Sequence, residues 1–196
     1  MPFLRRLPQP WRVIADWVVT IAVAVVLVLV FEAKVAKPYR IPSSSMEPTL
    51  HCARPAAWCL GGSDDRVIAN RLAYDFGDPK RGQIVVFHAP PAASQCGRPE
   101  GDVFIKRLIG LPGEVVSEQD GYVRIDGKPL SEPYVESAFR DHETRTWPRI
   151  LPGHYFFMGD DRVHSCDSRI WGTVPRRALV GPAIVTYWPP TRIGIP

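Results

Sequence analysis

The chain has 196 residues, of which 45% are hydrophobic and 22% charged, and its formal net charge at pH 7 is +4. This length accommodates one ordinary domain with a short appendage, and the hydrophobic fraction excludes an intrinsically disordered chain. Its 21 prolines argue against a helix bundle, because proline interrupts helix interiors but is tolerated in turns and at strand edges. The mild positive charge includes no Lys/Arg run, so the composition does not indicate nucleic-acid binding.

An apolar segment near the N-terminus departs from this average composition. Residues 13–31 carry a single charge, Asp16, and at about 1.5 Å per residue they just span a hydrocarbon core of about 30 Å. We expect one transmembrane helix here, because a helix that is apolar all round needs apolar surroundings on every side. Residues 1–12 would then form a tail on one side of the membrane, and residues 32–196 one domain on the other.

A cleaved secretory signal peptide is the alternative interpretation of the same segment. The three arginines of residues 1–12 would form its basic region, and residues 18–31 are short enough for its apolar core. Cleavage after Ala33 would place Phe31 at the −3 position, where signal peptides carry a small residue. Cleavage after Ala36 would place Lys34 there. Neither site fits, which favours an uncleaved anchor.

The remainder of the chain has the pattern of a mainly β domain, in which short strand-like stretches alternate with Gly/Pro/Asp clusters. We expect Pro38 and Pro42 to bracket an extended linker, and residues 136–149, which are polar and aperiodic, to form a surface loop. The predicted strands are residues 83–88, 103–109, 122–125, 154–158 and 179–188.

Four cysteines bear on the compartment and on metal binding. Cys52 and Cys59 enclose six residues, a span that a disulfide can close, and a location outside the cytoplasm would favour the oxidised state. Zinc bound together with His51 is the alternative, but a fourth ligand at the usual spacing is missing. We therefore predict a Cys52–Cys59 disulfide and no metal site. Cys96 and Cys166 either pair or remain thiols, and the sequence leaves that open.

A serine cluster is the first of three segments that carry reactive groups. Residues 41–50 read Ile-Pro-Ser-Ser-Ser-Met-Glu-Pro-Thr-Leu, and a serine run between prolines is by itself typical of a turn. The segment has neither the Gly-x-Ser-x-Gly nor the Ser-x-x-Lys pattern of activated serines. A histidine-based triad remains possible in principle, although none of the five histidines has a recognisable triad context.

Lys106 lies in a predicted strand in which both faces are mostly apolar. Alternation places Lys106 between Phe104 and Leu108 on one face, and Arg107 beside Ile105 on the other. If Lys106 lies at a strand edge, its ammonium reaches water. If it is buried, its pKa falls from about 10.4 by up to several units, and the neutral amine can accept a proton from a serine.

The third segment, residues 158–172, contains acids, bases and hydroxyls at high density directly after a predicted strand. Such a mixture is suited to a polar network that supports other side chains. An Asp-rich turn with weak surface ion pairs is the simpler alternative. A calcium loop is disfavoured, because the Asp-x-Asp-x-Asp-Gly spacing and its closing glutamate are absent.

Together these segments resemble the bacterial type I signal peptidases, also called leader peptidases, over nearly the whole chain. The single anchor and the cysteine-containing stretch are most similar to the actinobacterial and Gram-positive branch. After the anchor, the matching motifs in the family's order are Pro42-Ser43-x-Ser45-Met46-x-Pro48-Thr49-Leu50, Gly82-x-Ile84-Val85-Val86-Phe87, Ile105-Lys106-Arg107-x-Ile109-Gly110-x-Pro112-Gly113 and Met158-Gly159-Asp160-x-Arg162-x-x-Ser165-x-Asp167-Ser168-Arg169.

The resemblance implies a signal-peptidase-type β catalytic domain that works as a membrane-bound serine endopeptidase without a cofactor. Its reaction would remove N-terminal signal peptides from exported preproteins, after small residues at positions −1 and −3. Ser45 would be the nucleophile and Lys106 the general base, a Ser/Lys dyad without histidine. The substrate would pair as an extended segment with a sheet edge, its alternate side chains entering shallow pockets.

Four further residues are implied to support the dyad. Ser43 would add its hydroxyl to an oxyanion hole beside the backbone N–H of the nucleophile. Ser165 would orient the lysine ammonium. Asp167 and Arg169 would form an ion pair that supports this arrangement. The residues that line the substrate pockets are not implied by any of the matching motifs.

The resemblance also implies an orientation that charge alone leaves undecided, because three basic residues precede the apolar segment and three follow it. Residues 1–12 would be cytoplasmic, and the catalytic domain would lie outside the plasma membrane, with the lipid bilayer and preprotein signal peptides as partners. Alternatives are a self-cleaving repressor-type Ser/Lys protease, a non-catalytic anchored β module, and a relative specialised for one substrate.

Overall fold

The computed structural model describes residues 9–97, 99 and 101–196. Helix α1, Gln9–Lys34, contains the predicted anchor. Its segment Val13–Glu32 has a mean hydropathy of 2.8, is not buried by the rest of the described chain, and is long and apolar enough to cross a membrane. A signal sequence would meet the same criteria of length and composition. Residues 1–8, which hold most of the predicted tail, lie outside the described residues.

The remainder forms two antiparallel sheets. The larger has the strand order β1-β2-β11-β3-β4-β9-β10, with β1 Ala36–Arg40, β2 Arg66–Asn70, β3 Ile84–His88, β4 Val103–Gly110, β9 His154–Met158, β10 Val174–Pro175 and β11 Leu179–Trp188. The smaller has the order β7-β6-β5-β8, with β5 Val116–Gln119, β6 Tyr122–Ile125, β7 Lys128–Pro129 and β8 Arg145–Thr146. A short helix, α2, Ser168–Trp171, follows β9. The chain is therefore mainly β, as the sequence predicts.

Strand β4 lies between separate groups of buried apolar side chains. Leu108 packs in a first cluster with Phe87 and Phe157. Its neighbour Ile109 packs in a second cluster with Phe156, on the opposite face of the strand. A third cluster, formed by Ile41, Met46, Leu50, Val67 and Ile84, lies beneath the serine segment. Because both faces of β4 are covered, a charged side chain at its centre is kept from water.

The five predicted strands are confirmed, with ends that differ by at most one residue.

The predicted linker around Pro38 is wrong, because this segment is the edge strand β1, paired with β2, where a proline is tolerated. The surface loop predicted for residues 136–149 is wrong in part. It contains β8, and Trp147 is 6% exposed because its ring packs with Phe156 in the second cluster.

Two disulfides tie the loops of the domain. The predicted Cys52–Cys59 bond is confirmed, with a Cα–Cα distance of 5.0 Å. Cys96 pairs with Cys166 at a Cα–Cα distance of 6.2 Å, and this bond joins the 3-10 helix Pro91–Cys96 to the segment before α2. The two thiols proposed for zinc are thus consumed, and the described residues contain no group of three metal-ligating side chains.

The two disulfides are expected to differ in their contributions to stability, because the cysteines they join are 7 and 70 positions apart in the sequence. A chain-entropy estimate gives a loss of about 2 to 3 kcal/mol when Cys52 and Cys59 are both replaced by serine, and about 4 kcal/mol for Cys96 and Cys166. Denaturant unfolding of the full-length protein in detergent, followed by tryptophan fluorescence, measures both. Equal losses would contradict this expectation.

Candidate active site

Ser45 lies on a single 3-10 turn, Ser44–Met46, that follows the edge strand β1. The turn is held in place because Met46 is 1% exposed and packs with Ile41 in the third cluster. Ser45 is buried, and its hydroxyl lies 3.3 Å from the hydroxyl of Ser43. The turn contacts β4, so the serine is positioned against the strand that carries the candidate base.

A narrow cleft leads to the serine turn. Residues 39–43 and 103–105 are among its walls, and its volume is about 100 Å³. One wall is β1, an edge strand of the large sheet, and edge strands can pair with another extended chain. The cleft therefore suits an extended peptide whose side chains at this point are small.

Lys106 lies at the centre of β4, opposite Val85 of β3. It is 1% exposed, so the interpretation in which its ammonium reaches water is wrong. Its Nζ lies 5.9 Å from the ring centroid of Phe104. Burial lowers the pKa of Lys106 from 10.5 to about 8, although the carboxylate of Asp167 opposes this by favouring the charged form. An appreciable fraction of the amine is therefore neutral near pH 7.

Gly159 lies where the serine turn meets the segment after β9. A Cβ at this position would lie 2.3 Å from the carbonyl oxygen of Ser45 and 2.3 Å from Oγ of Ser165. The same carbonyl accepts a hydrogen bond from the backbone N–H of Asp161 at 3.3 Å. Glycine is thus required by close packing, and its missing side chain lets the two segments approach.

Asp167 and Arg169 form the predicted ion pair, with Nε and Nη2 of Arg169 donating to the two carboxylate oxygens at 2.9 Å each. Asp167 also accepts the backbone N–H of Gly159 at 3.0 Å. Burial by itself would raise the pKa of Asp167, but Arg169 outweighs it and holds the pKa below its usual value. The carboxylate therefore stays charged and fixed next to the serine turn.

Ser165 occupies the same junction without the contact that the resemblance implies. Its Oγ is buried and forms no hydrogen bond with any described residue, Lys106 included. Because it is unpaired, this hydroxyl remains available as a donor or acceptor. Leaving a buried hydroxyl without a partner costs free energy. Its orienting role stays a prediction.

Asp160 and Arg107 form a second buried ion pair, to which the sequence assigned no role. Nε and Nη2 of Arg107 donate to the carboxylate at 2.8 and 2.6 Å, and Thr49 donates its hydroxyl to the same group at 2.6 Å. The guanidinium also lies 3.9 Å from the ring centroid of Tyr134. This pair joins β4, the serine segment and the loop after β9. The sequence did contain one signal for this pair. Alternation along β4 placed Arg107 on an otherwise apolar face, where a buried cation needs a partner.

None of the five histidines hydrogen-bonds to the Ser45 hydroxyl, whose one partner among the described residues is the hydroxyl of Ser43, so the structure contains no histidine-based triad at this serine. The imidazoles contact, in chain order, Glu47, the Gly101 carbonyl, Asp120, the Pro152 carbonyl and Asp161. What the site does contain is a hydroxyl and a partly neutral amine on two contacting elements. These are the components of nucleophilic acyl transfer with an amine as the base.

Comparisons with known proteins agree with this chemistry. The model of the family described as signal peptidase, peptidase S26, matches residues 14–188. A signal peptidase I of Leptolyngbya laminosa is 40% identical over 189 residues, which cover 95% of this chain and 86% of that protein. A signal peptidase I of Mycobacterium tuberculosis is 32% identical over 234 residues, covering 96% and 78%. The predicted branch of the family stays a prediction.

Among solved structures, a crystal structure of a signal peptidase I from Enterococcus faecalis is similar at 33% identity. The alignment covers 54% of this chain and 97% of that chain, with a TM-score of 0.46.

Burial of Lys106 is expected to cost stability at neutral pH. The pKa of Lys106 is about 8 in the folded protein and 10.5 in the unfolded chain. Between pH 8 and pH 10.5 the unfolded chain therefore binds an extra proton, and the stability cost disappears as the pH rises through this range. Lys106→Met should therefore be more stable than the wild type at pH 6 by roughly 3 kcal/mol, and equally stable near pH 10.5. Denaturant unfolding at both pH values measures the difference. The exposed Lys128→Met is the control, and a gain that does not depend on pH would contradict the explanation.

Gly159→Ala is expected to destabilise the protein by roughly 1 to 3 kcal/mol, the usual cost of overpacking, because its Cβ would meet the Ser45 carbonyl. Ser165→Ala in the same chain should not restore stability, since the backbone contact remains. Gly62→Ala, where a Cβ meets open space, is the matched control for urea unfolding. Equal unfolding midpoints for Gly159→Ala and Gly62→Ala would show that the close approach is not required.

Proposed function

Because the chain belongs to the signal peptidase family, peptidase S26, we propose that Ser45 and Lys106 are the dyad with which it removes signal peptides from exported preproteins. The chain is a serine peptidase, and its family excludes the repressor-type and non-catalytic alternatives. The observation that carries the assignment of the dyad is the burial of Lys106 beside the serine turn. No other lysine among the described residues is buried.

The proposed reaction uses the neutral amine of Lys106. At pH 7 about one tenth of a group with a pKa near 8 is unprotonated. This amine accepts the proton of the Ser45 hydroxyl as Oγ attacks the carbonyl carbon before the cleaved bond. The resulting ammonium donates the proton to the departing amine, which leaves an acyl-enzyme. Lys106 then activates a water molecule, whose attack releases the signal peptide and restores the serine.

Ser43 is placed to help stabilise the oxyanion. Its hydroxyl lies 3.3 Å from Oγ of Ser45, and therefore within reach of a group bonded to that atom. The negative charge of the tetrahedral intermediate develops on the substrate carbonyl oxygen, where the Ser43 hydroxyl and the backbone N–H of Ser45 can donate hydrogen bonds. Such donors contribute most when charge appears only in the transition state.

The cleft supports a preference for small side chains. Its volume of about 100 Å³ accommodates alanine-sized groups, and the edge strand β1 offers backbone pairing to an extended substrate. Alternate side chains of such a substrate point to the same wall, which suits a small-x-small sequence before the cleaved bond.

The protein is membrane-anchored through α1. We place it in the plasma membrane as a single-pass protein, with its N-terminus in the cytoplasm and the catalytic domain outside, in contact with the lipid surface. Two disulfides support this orientation, because such bonds persist in oxidising compartments and are rare in the cytoplasm.

Cleavage of a peptide with an Ala-x-Ala site by the full-length protein in detergent tests the dyad. The wild type should release a product that ends at the second alanine, and Ser45→Ala and Lys106→Ala should each lower kcat by roughly a thousandfold. Lys128→Ala, at an exposed lysine, should leave the rate unchanged. Activity that survives in Lys106→Ala would assign the base to another group.

A further inference from the structure

An aromatic pair, an exposed indole on a partly buried imidazole, lies close to the serine turn but takes no part in the reaction described above. The indole of Trp58 stacks on the imidazole of His164, with ring centroids 4.2 Å apart and planes at 17°. Trp58 is 65% exposed, and the apolar neighbours Leu60 and Val163 are also exposed. We call Trp58 and His164 the aromatic platform.

The loop that carries Trp58 is fixed although its aromatic side chain faces solvent. The Cys52–Cys59 disulfide closes the loop, and the buried carboxylate of Glu47 accepts the backbone N–H groups of Cys52 and Leu60 at 3.0 Å each. Trp58 itself has φ +63°, a left-handed conformation that is unfavourable for a bulky residue. Strain of this kind persists where the surroundings impose it, often at ligand-binding sites.

Two hydrogen bonds connect the platform to the nucleophile. Nδ1 of His164 contacts the carboxylate of Asp161 at 2.9 Å, and the backbone N–H of Asp161 donates to the Ser45 carbonyl at 3.3 Å. On the other side, Glu47, which anchors the Trp58 loop, is two residues from Ser45. The platform is therefore within reach of a few residues of extended peptide, at about 3.3 Å per residue.

The platform and the cleft are built from different segments. The cleft is lined by residues before and within the serine turn and by the start of β4, and β1 connects this side to α1. The platform comes from the loops that contain residues 53–58 and 161–164, and neither loop lines the cleft. The platform therefore lies outside the cleft, and of a peptide whose signal-peptide side fills the cleft, only the part after the cleaved bond is left to contact it.

We propose that the aromatic platform binds the mature side of the preprotein, taking an apolar or aromatic side chain within the first few residues after the cleaved bond. This inference rests on the proposed function and adds a second recognition site to it. A rigid, exposed indole offers a large apolar contact at a low cost in conformational entropy.

Two peptides with the same Ala-x-Ala site test this, each extending six residues past the cleaved bond. One carries leucine at the second and fourth of these positions, and the other carries alanine. The full-length wild type in detergent should cleave the leucine peptide with a kcat/KM roughly fivefold higher, mainly through a lower KM.

Trp58→Gly is the decisive variant, because glycine adopts φ +63° without strain and keeps the loop conformation while removing the indole. It should lower the ratio of the two kcat/KM values to about one, whereas Trp58→Phe should retain most of the preference. Phe76→Ala, at an aromatic that is 87% exposed in the loop before β3, is the control and should leave the ratio unchanged.

Three results would overturn the inference while leaving the dyad intact. They are equal kcat/KM values for the two peptides in the wild type, a preference that persists in Trp58→Gly, and an equal loss of kcat for both peptides in that variant. The last would mean that Trp58 only positions Ser45 through Asp161. Cleavage of neither peptide by the wild type would instead overturn the proposed function, and this inference with it.

Discussion

An amine held out of water is the constraint on which the rest of this site depends. In the proposed reaction Lys106 can serve as the base only if its ammonium is destabilised, and burial between apolar clusters does this. Such burial requires β4 to lie inside the sheet, between β3 and β9, with both faces covered. It also requires that no carboxylate is free to restore the charged form. The fold thus accepts a destabilised lysine as a condition of the chemistry.

Arg169 meets the second requirement. Asp167 lies close enough to Lys106 to raise the pKa of the amine, yet both of its carboxylate oxygens are bonded to the Arg169 guanidinium. The positive charge of Arg169 itself lowers the pKa of Lys106. Asp167 can therefore fix the Gly159 backbone beside Ser45 without becoming the counter-ion of Lys106. The ion pair acts through both geometry and electrostatics.

The small sheet stabilises the same region from the opposite side. Arg162, in the loop after β9, is 2% exposed, pairs with Glu132 and lies 3.7 Å from the carboxylate of Glu118 on β5. Burial raises the pKa of Glu118 to about 7, and the neighbouring carboxylate of Asp141 adds to this effect. Together with the Cys96–Cys166 bond, these contacts hold in place the loop whose Gly159 packs against the serine turn. Burial of these charged side chains costs free energy of folding, and the Cys96–Cys166 disulfide offsets part of that cost.

The sequence by itself determined the features that depend on local pattern: the apolar helix, the five strands, the Cys52–Cys59 bond and the order of the motifs that contain Ser45 and Lys106. Periodicity and spacing are properties of neighbouring residues, so they can be recognised without the fold. Only the tertiary structure decided that Lys106 is buried, that Cys96 meets Cys166, that Asp160 pairs with Arg107 and that Trp58 stacks on His164. Each of these joins segments distant in the chain, and their contact is set by how the strands pack around a common core, which no local pattern encodes.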